Sequence, residues 1–287
     1  MCRRAATRKG VFRFLPQDGL TPKGGPLHTD YSPTSLHELS RDAQARSKPG
    51  SHPVQLNFTR REVKYLLTDA QREALLRATS SYVVPDEHGA ATIRSVYYDT
   101  PTLLMARRST EHPTYKEKIR LRCYGTPAPD EPIFVELKKK CRGVVYKRRC
   151  LLPEHGAQGL LAGHMAPATQ IERELAWTAS RYEGLAPRVY LAYDRDAFYC
   201  RSDRNLRLTL DRRVRMRWDR LSLSNADETQ QILAEGLSIL EVKALGALPF
   251  WLLEALREGQ VQKASWSKYA TACRIHLAET DEPLSQP

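Results

Sequence analysis

Long apolar runs are missing from this 287-residue chain. No stretch of about 18 apolar residues occurs, and the cluster over 248–256 is broken by Pro249 and Glu254, which excludes a spanning helix. The six cysteines form no CxxC pair and have no histidine at ligand spacing, so neither a zinc site nor a disulfide framework is supported. They read as reduced thiols of a cytoplasmic protein. No GxxxxGK[ST] loop, kinase catalytic loop or Ser-His-Asp order is present, which removes the common nucleotide folds and the serine hydrolases. Acidic residues are the scarce charge: 33 Asp and Glu face 45 Lys and Arg, a net charge of +12 that points to a polyanionic partner.

The excess is unevenly spread. Residues 1–55 hold nine Lys and Arg and four Asp and Glu among many Gly, Pro and Ser, and read as a disordered basic leader. Order is expected over 56–280, with a frayed tail at 281–287. Helices are expected at 68–79, opened by a capping box from Thr68 to Gln71, and at 169–183, 248–259 and 267–278. Period-two segments at 56–66, 91–98, 116–124, 133–140, 144–152, 188–199, 205–218 and 238–244 are eight strand candidates, giving an α+β fold with antiparallel pairing. Asp99, before Thr100 and Pro101, is placed to start a turn.

Alternation assigns each strand a charged and an apolar face. Lys118, Arg120 and Arg122 share one side, with Ile119 and Leu121 on the other. Glu-x-Lys recurs on three strands, as Glu62 and Lys64, Glu136 and Lys138, and Glu241 and Lys243. A single such strand is simply a half-buried sheet with a wet face. Repeated across the set, the pattern fits an eight-stranded antiparallel β-barrel with flanking helices, its charged faces turned into a shared lumen. Unpaired cations in a lumen are costly unless a multivalent anion sits there. A phosphate chain suits Arg forks and Lys point charges, and carboxylates could hold Mg²⁺ or Mn²⁺ against it. Removing one cation, such as Arg120 or Lys138, is expected to relieve repulsion and leave the fold intact or steadier. The Arg-rich run 212–220 reads as a surface patch.

At these residues the chain resembles the VTC domain, the polyphosphate-polymerase-like branch of the triphosphate tunnel metalloenzymes. The matching pieces run in family order over about 56–275: Glu62-Val63-Lys64-Tyr65, Ser95 through Thr100, Lys118 through Gly125, Val135-Glu136-Leu137-Lys138, Tyr146 through Arg149, Arg188 through Arg195, Arg207 through Asp211, Leu240 through Lys243, and Ser267-Lys268-Tyr269. The resemblance implies a tunnel that binds triphosphate with a divalent metal, Mn²⁺ or Mg²⁺, and transfer of the ATP γ-phosphate to polyphosphate. It implies Arg120, Arg122, Lys138 and Arg195 as catalytic cations, and Lys64, Lys147, Arg207 and Lys268 as phosphate-binding ones. Glu241 is the implied metal ligand, followed by Glu62 and Glu136. The segment before Arg120 departs from the family pattern; it carries Lys116 and Lys118, to which no role is assigned. The same cradle serves a tripolyphosphatase or a non-catalytic polyphosphate-binding module. A nucleic-acid binder is the competing class, weakened because the cations alternate with apolar residues and pair with Glu.

Overall fold

A computed structural model describes residues 61–280 apart from 112, 143, 226 and 227, with only the backbone of 88. The expected leader (1–55) and tail (281–287) lie outside the described residues. Among the described residues, ten strands and six helices follow in chain order: β1 Arg61–Thr68, α1 Asp69–Thr79, β2 Val83–Asp99, α2 Leu104–Thr110, β3 Tyr115–Tyr124, β4 Ile133–Cys141, β5 Val144–Leu152, α3 Glu154–Leu161, α4 Gln170–Ser180, β6 Ala186–Cys200, β7 Arg207–Arg217, β8 Gln230–Gln231, β9 Leu237–Ala244, α5 Phe250–Glu258, β10 Gln262–Lys263 and α6 Lys268–Glu279. None of these helices is long and apolar enough to cross a membrane.

The strands form one antiparallel sheet in the order β10-β1-β9-β7-β6-β2-β3-β4-β5, with β8 on β7. The eight long strands correspond to the eight expected from alternation, the first from residue 61 on, since 56–60 lie outside the described residues; β8 and β10 have two residues each. The closed eight-stranded barrel is corrected: the sheet is open, and among the described residues no ladder joins β5 to β1 or β10. A physical reason is that β10 already pairs with part of the free edge of β1, through Tyr65 with Lys263 and Leu66 with Gln262. The seam is instead spanned by side chains: Lys138 on β4 lies 3.9 Å from Glu62 on β1.

Apolar faces turn outward under helices, as alternation requires. Val96, Ile119, Leu121, Val135 and Leu137 pack with Leu160 of α3 and Leu175 of α4. Tyr65, Leu67, Leu208, Leu210, Leu240 and Val242 pack with Leu75 of α1 and Leu252 and Leu256 of α5. The inner face is treated differently. Helix α6 packs Tyr269, Ala272 and Cys273 onto Tyr97, Val189, Leu191 and Met216. A second apolar cluster, Ile93, Tyr193, Val214, Leu233 and Ile239, fills another part of it.

Local signals hold where they are local. Thr68 and Gln71 make the capping box of α1, and Thr169 and Glu172 make one for α4. Two helices were not expected. α3 is eight residues long and contains Gly156 and Gly159, which weaken a helical pattern. α2 starts from Leu103 at φ 54° without a side-chain cap of its own. Its cap is Asp99, fully buried, which accepts from the backbone N–H of Thr100 at 2.8 Å and of Met105 and Ala106 at 2.9 Å each. The Tyr269 hydroxyl donates to the same carboxylate, tying α6 to this corner.

Asp99→Ala leaves three buried N–H donors and one hydroxyl without their acceptor, so it should cost roughly 3 kcal/mol. The check is the urea-denaturation midpoint of full-length protein. An unchanged midpoint would show that Asp99 does not organise α2 and α6.

Candidate functional site

The inner face of the curled sheet encloses a cavity of about 530 Å³. Its walls come from β1, β2, β3, β4, β6 and β9, with Val145 of β5 and the start of α6. Strand register explains the convergence. Arg120 lies opposite Glu136 on β4 and Tyr97 on β2, and Lys118 lies opposite Lys138. Lys64 lies opposite Glu241, and Arg195 opposite Asp211. Directly paired residues share a face, so the charged rows of separate strands become one wall. Among the described residues, that wall carries eleven Lys and Arg and three Glu, an excess that the adjoining buried carboxylates Asp211 and Glu136 offset in part.

Of the expected residues, Lys64, Arg120, Arg122, Lys138, Arg195, Lys268, Glu62 and Glu241 line the cavity. Glu136 and Lys147 stand behind the wall: Glu136 is buried and accepts from Arg120 at 2.6 Å and Lys147 at 2.5 Å. Arg207 is exposed at the start of β7, opposite Lys243, and is not part of the lining. Arg212, Arg213 and Arg215 pair with Asp196 and Asp194 and are also outside it.

Several residues lining or supporting the cavity were given no role by the sequence. Lys116, Lys118, Lys140, Lys243 and Arg61 add positive charge, and Tyr97 and Tyr193 add hydroxyls. Alternation already placed Lys118 and Lys243 on the charged faces. Asp211 is the larger omission. It is fully buried and accepts both fork nitrogens of Arg195, at 2.6 and 2.7 Å, while Lys268 also donates to it. Its signal was visible too, since Arg207, Thr209 and Asp211 alternate along β7.

The carboxylates hold the cations in place. Glu241 lies 3.3 Å from both Lys64 and Lys243, and 3.7 Å from Arg195. Arg120 also donates to the Tyr97 hydroxyl at 2.8 Å, and Arg122 to that of Tyr193 at 3.0 Å. Burial opposes ionisation of Glu241, but Lys243, Lys268, Lys64 and Arg195 override it and hold its carboxyl well below the usual range. Glu136 is held down in the same way by Arg120, Arg122 and Lys147. Burial, joined by the nearby Lys138 and Lys64, pushes the Lys118 ammonium down to about 8. Burial likewise lowers Lys147 to about 8, against the pull of Glu136. Burial would raise the Tyr97 phenol, yet Arg120, Arg122 and Lys118 bring it down to about 8.

For a divalent metal the expected ligands Glu62, Glu136 and Glu241 do not form one centre. Among the described residues no group of three or more His, Cys, Asp or Glu is arranged to hold an ion. Glu62 and Glu241 converge on Lys64, at 3.6 and 3.3 Å, and face the cavity. One or two carboxylates are what Mg²⁺ takes when phosphate oxygens and water complete its shell, so this pair fits such an ion. Glu136 does not fit, because its oxygens are committed to Arg120 and Lys147.

The family model described as the VTC domain matches residues 59–277. A search of curated proteins finds no match. Similar solved structures include a candidate adenylate cyclase from Bacillus halodurans, 15% identical, covering 72% of this chain and 92% of that one, TM-score 0.44. Another is a candidate adenylate cyclase from Vibrio parahaemolyticus, 12% identical, covering 76% and 99%, TM-score 0.41. A Mimivirus capping-enzyme triphosphatase is 10% identical, covering 81% and 98%, with a TM-score of 0.33.

The depressed lysines set the pH dependence. Folded Lys118 and Lys147 release protons near pH 8, whereas unfolded lysines keep theirs to about 10.5, so stability without ligand should rise with pH across that window. Affinity for an anion should move the other way. Between pH 7 and 9 two cations fade and Tyr97 turns anionic, so binding of inorganic tripolyphosphate should weaken about tenfold at fixed ionic strength. Titration calorimetry checks this, and Lys118→Met should flatten the slope; a pH-independent constant in the parent protein would contradict it.

Proposed function

The chain belongs to the VTC domain family, and from that premise we propose that it is a phosphotransferase moving the γ-phosphate of ATP onto a polyphosphate chain. The observation that carries this reading is the cavity wall of eleven cations and three glutamates. Phosphoryl transfer asks a protein for positioning and charge neutralisation more than for covalent chemistry. Arg120 and Arg195 suit that task because buried carboxylates fix their forks before any ligand arrives. Arg122, held by Ser95 and Tyr193, presents a third fork. Lys64 and Lys268 bring point charges to the phosphate chain, and Lys138 adds one across the seam. Lys147 acts through Glu136, balancing the carboxylate that orients Arg120. Arg207 lies outside the wall and would contact only a ligand that extends past it.

Glu241 and Glu62 would hold Mn²⁺ or Mg²⁺, which when bound neutralises phosphate charge. The acceptor is orthophosphate or the end of a polyphosphate chain, aligned opposite the leaving ADP. Water in that place would make the same cradle a triphosphatase, and an inert acceptor site would leave a binding module.

Purified protein with ATP and Mn²⁺ should form phosphate polymer. Free phosphate alone would indicate hydrolysis, and neither product would overturn the enzymatic reading. Lys138 is half exposed and its carboxylate partner is 3.9 Å away, so Lys138→Ala should lower turnover roughly 100-fold with the fold unharmed. Arg120→Ala should also abolish turnover. Here the expected relief of repulsion gives way, because Glu136 loses a buried partner, and the variant should be destabilised by roughly 3 kcal/mol. Equal thermal stability of the two variants would contradict that distinction.

A further inference from the structure

The inner face does not end at the ion pairs of Glu136. Two residues beyond Arg122 along β3 comes Tyr124, and two before Glu136 along β4 comes Phe134. Register sets Phe134 opposite both Arg122 and Leu151, and Arg149 opposite Glu136. Tyr124, Phe134, Arg149 and Leu151 therefore continue the same face that carries the cations. Their surroundings are unusual for large side chains: Tyr124 is 49% exposed and Leu151 55% exposed. Opposite Tyr124 on β2, the same face is sealed by Ile93 and its apolar cluster. The uncovered part is thus a shelf on β3, β4 and β5, bordering the cavity at Arg122.

The shelf has the chemistry of a base-stacking surface. Tyr124 meets Phe134 edge to face, with ring centroids 6.0 Å apart. The Arg149 guanidinium lies over the Phe134 ring at 4.8 Å. An exposed tyrosine ring beside a half-buried phenylalanine and a planar cation can take a nucleobase through stacking and cation–π attraction, with no hydrogen-bond code. The other end of the cavity differs. There Lys116 and Lys140 stand beside Val145 with no aromatic ring among them, an edge suited to phosphate and not to a base. Cross-strand neighbours lie about 5 Å apart, so a nucleoside attached to a phosphate near Arg122 reaches Phe134.

We propose that the shelf of Tyr124, Phe134, Arg149 and Leu151 holds the nucleobase of a nucleoside triphosphate whose phosphates occupy the cavity, and so distinguishes nucleotides from bare polyphosphate. The proposal rests on the phosphate-chain reading given above. It also gives the ligand a direction, with the base at Tyr124 and the phosphates running toward Lys116 and Lys140.

The test compares ATP with inorganic tripolyphosphate by titration calorimetry on the full chain. Tyr124→Ser combined with Leu151→Ser should weaken ATP about tenfold and leave tripolyphosphate within about twofold. Phe134→Leu, which removes the ring but keeps an apolar side chain, should show the same selective loss and covers a folding failure of the double variant. If both ligands bind the parent protein and both variants leave ATP affinity unchanged, the shelf is overturned while the phosphate reading stands. A parallel loss of both ligands overturns it as well. If neither ligand binds the parent protein, the phosphate reading fails and takes the shelf with it.

Discussion

Mutual repulsion among eleven cations gathered on one wall is the constraint that shapes this molecule. Three buried carboxylates contain it. Asp211 binds Arg195 and Lys268, Glu136 binds Arg120 and Lys147, and Glu241 sits among Lys64, Lys243 and Arg195. Each carboxylate is desolvated and would be unstable alone, so carboxylate and cation hold each other. The sheet stays open, and across its gap Lys138 of β4 reaches Glu62 of β1 at 3.9 Å.

This arrangement divides the cations into two groups. Arg120, Arg195 and Lys268 have close carboxylate partners and little rotational freedom. Lys118 has no carboxylate partner among the described residues and rests 5.4 Å from the Tyr269 ring. Lys138 has only a distant one. Under the proposed function, the first group offers a fixed field to a phosphate chain, which is how preorganised charge serves catalysis. The second group is the less neutralised remainder: burial, helped by neighbouring cations, lowers the ammonium groups of Lys118 and Lys138.

Much of this was legible in the sequence because it depends on alternation. Lys118, Arg120 and Arg122 had to share a face, and so did Glu241 and Lys243, wherever the strands went. The capping boxes at Thr68 and Thr169 are equally local. What could not be read were relations between strands. Whether the sheet closes depends on which strand takes the free edge of β1, and β10, two residues long, takes part of it. Glu136 and Glu241 look alike as Glu-x-Lys, yet one stands behind the wall and the other lines the cavity. Arg207 alternates correctly but lies at a strand end beyond the lining. The role of Asp99 spans 170 positions to Tyr269, a separation that no local pattern can carry.

The central claim is that the folded chain is short of negative charge at one enclosed place and recovers it from linked phosphates. Thermal unfolding of the full chain in rising inorganic tripolyphosphate, with ionic strength held constant by chloride, tests it most directly. The account predicts a midpoint that climbs steadily with ligand concentration, as mass action on the native state requires. A midpoint that stays flat as tripolyphosphate replaces chloride at constant ionic strength would show that the cavity does not bind a phosphate chain.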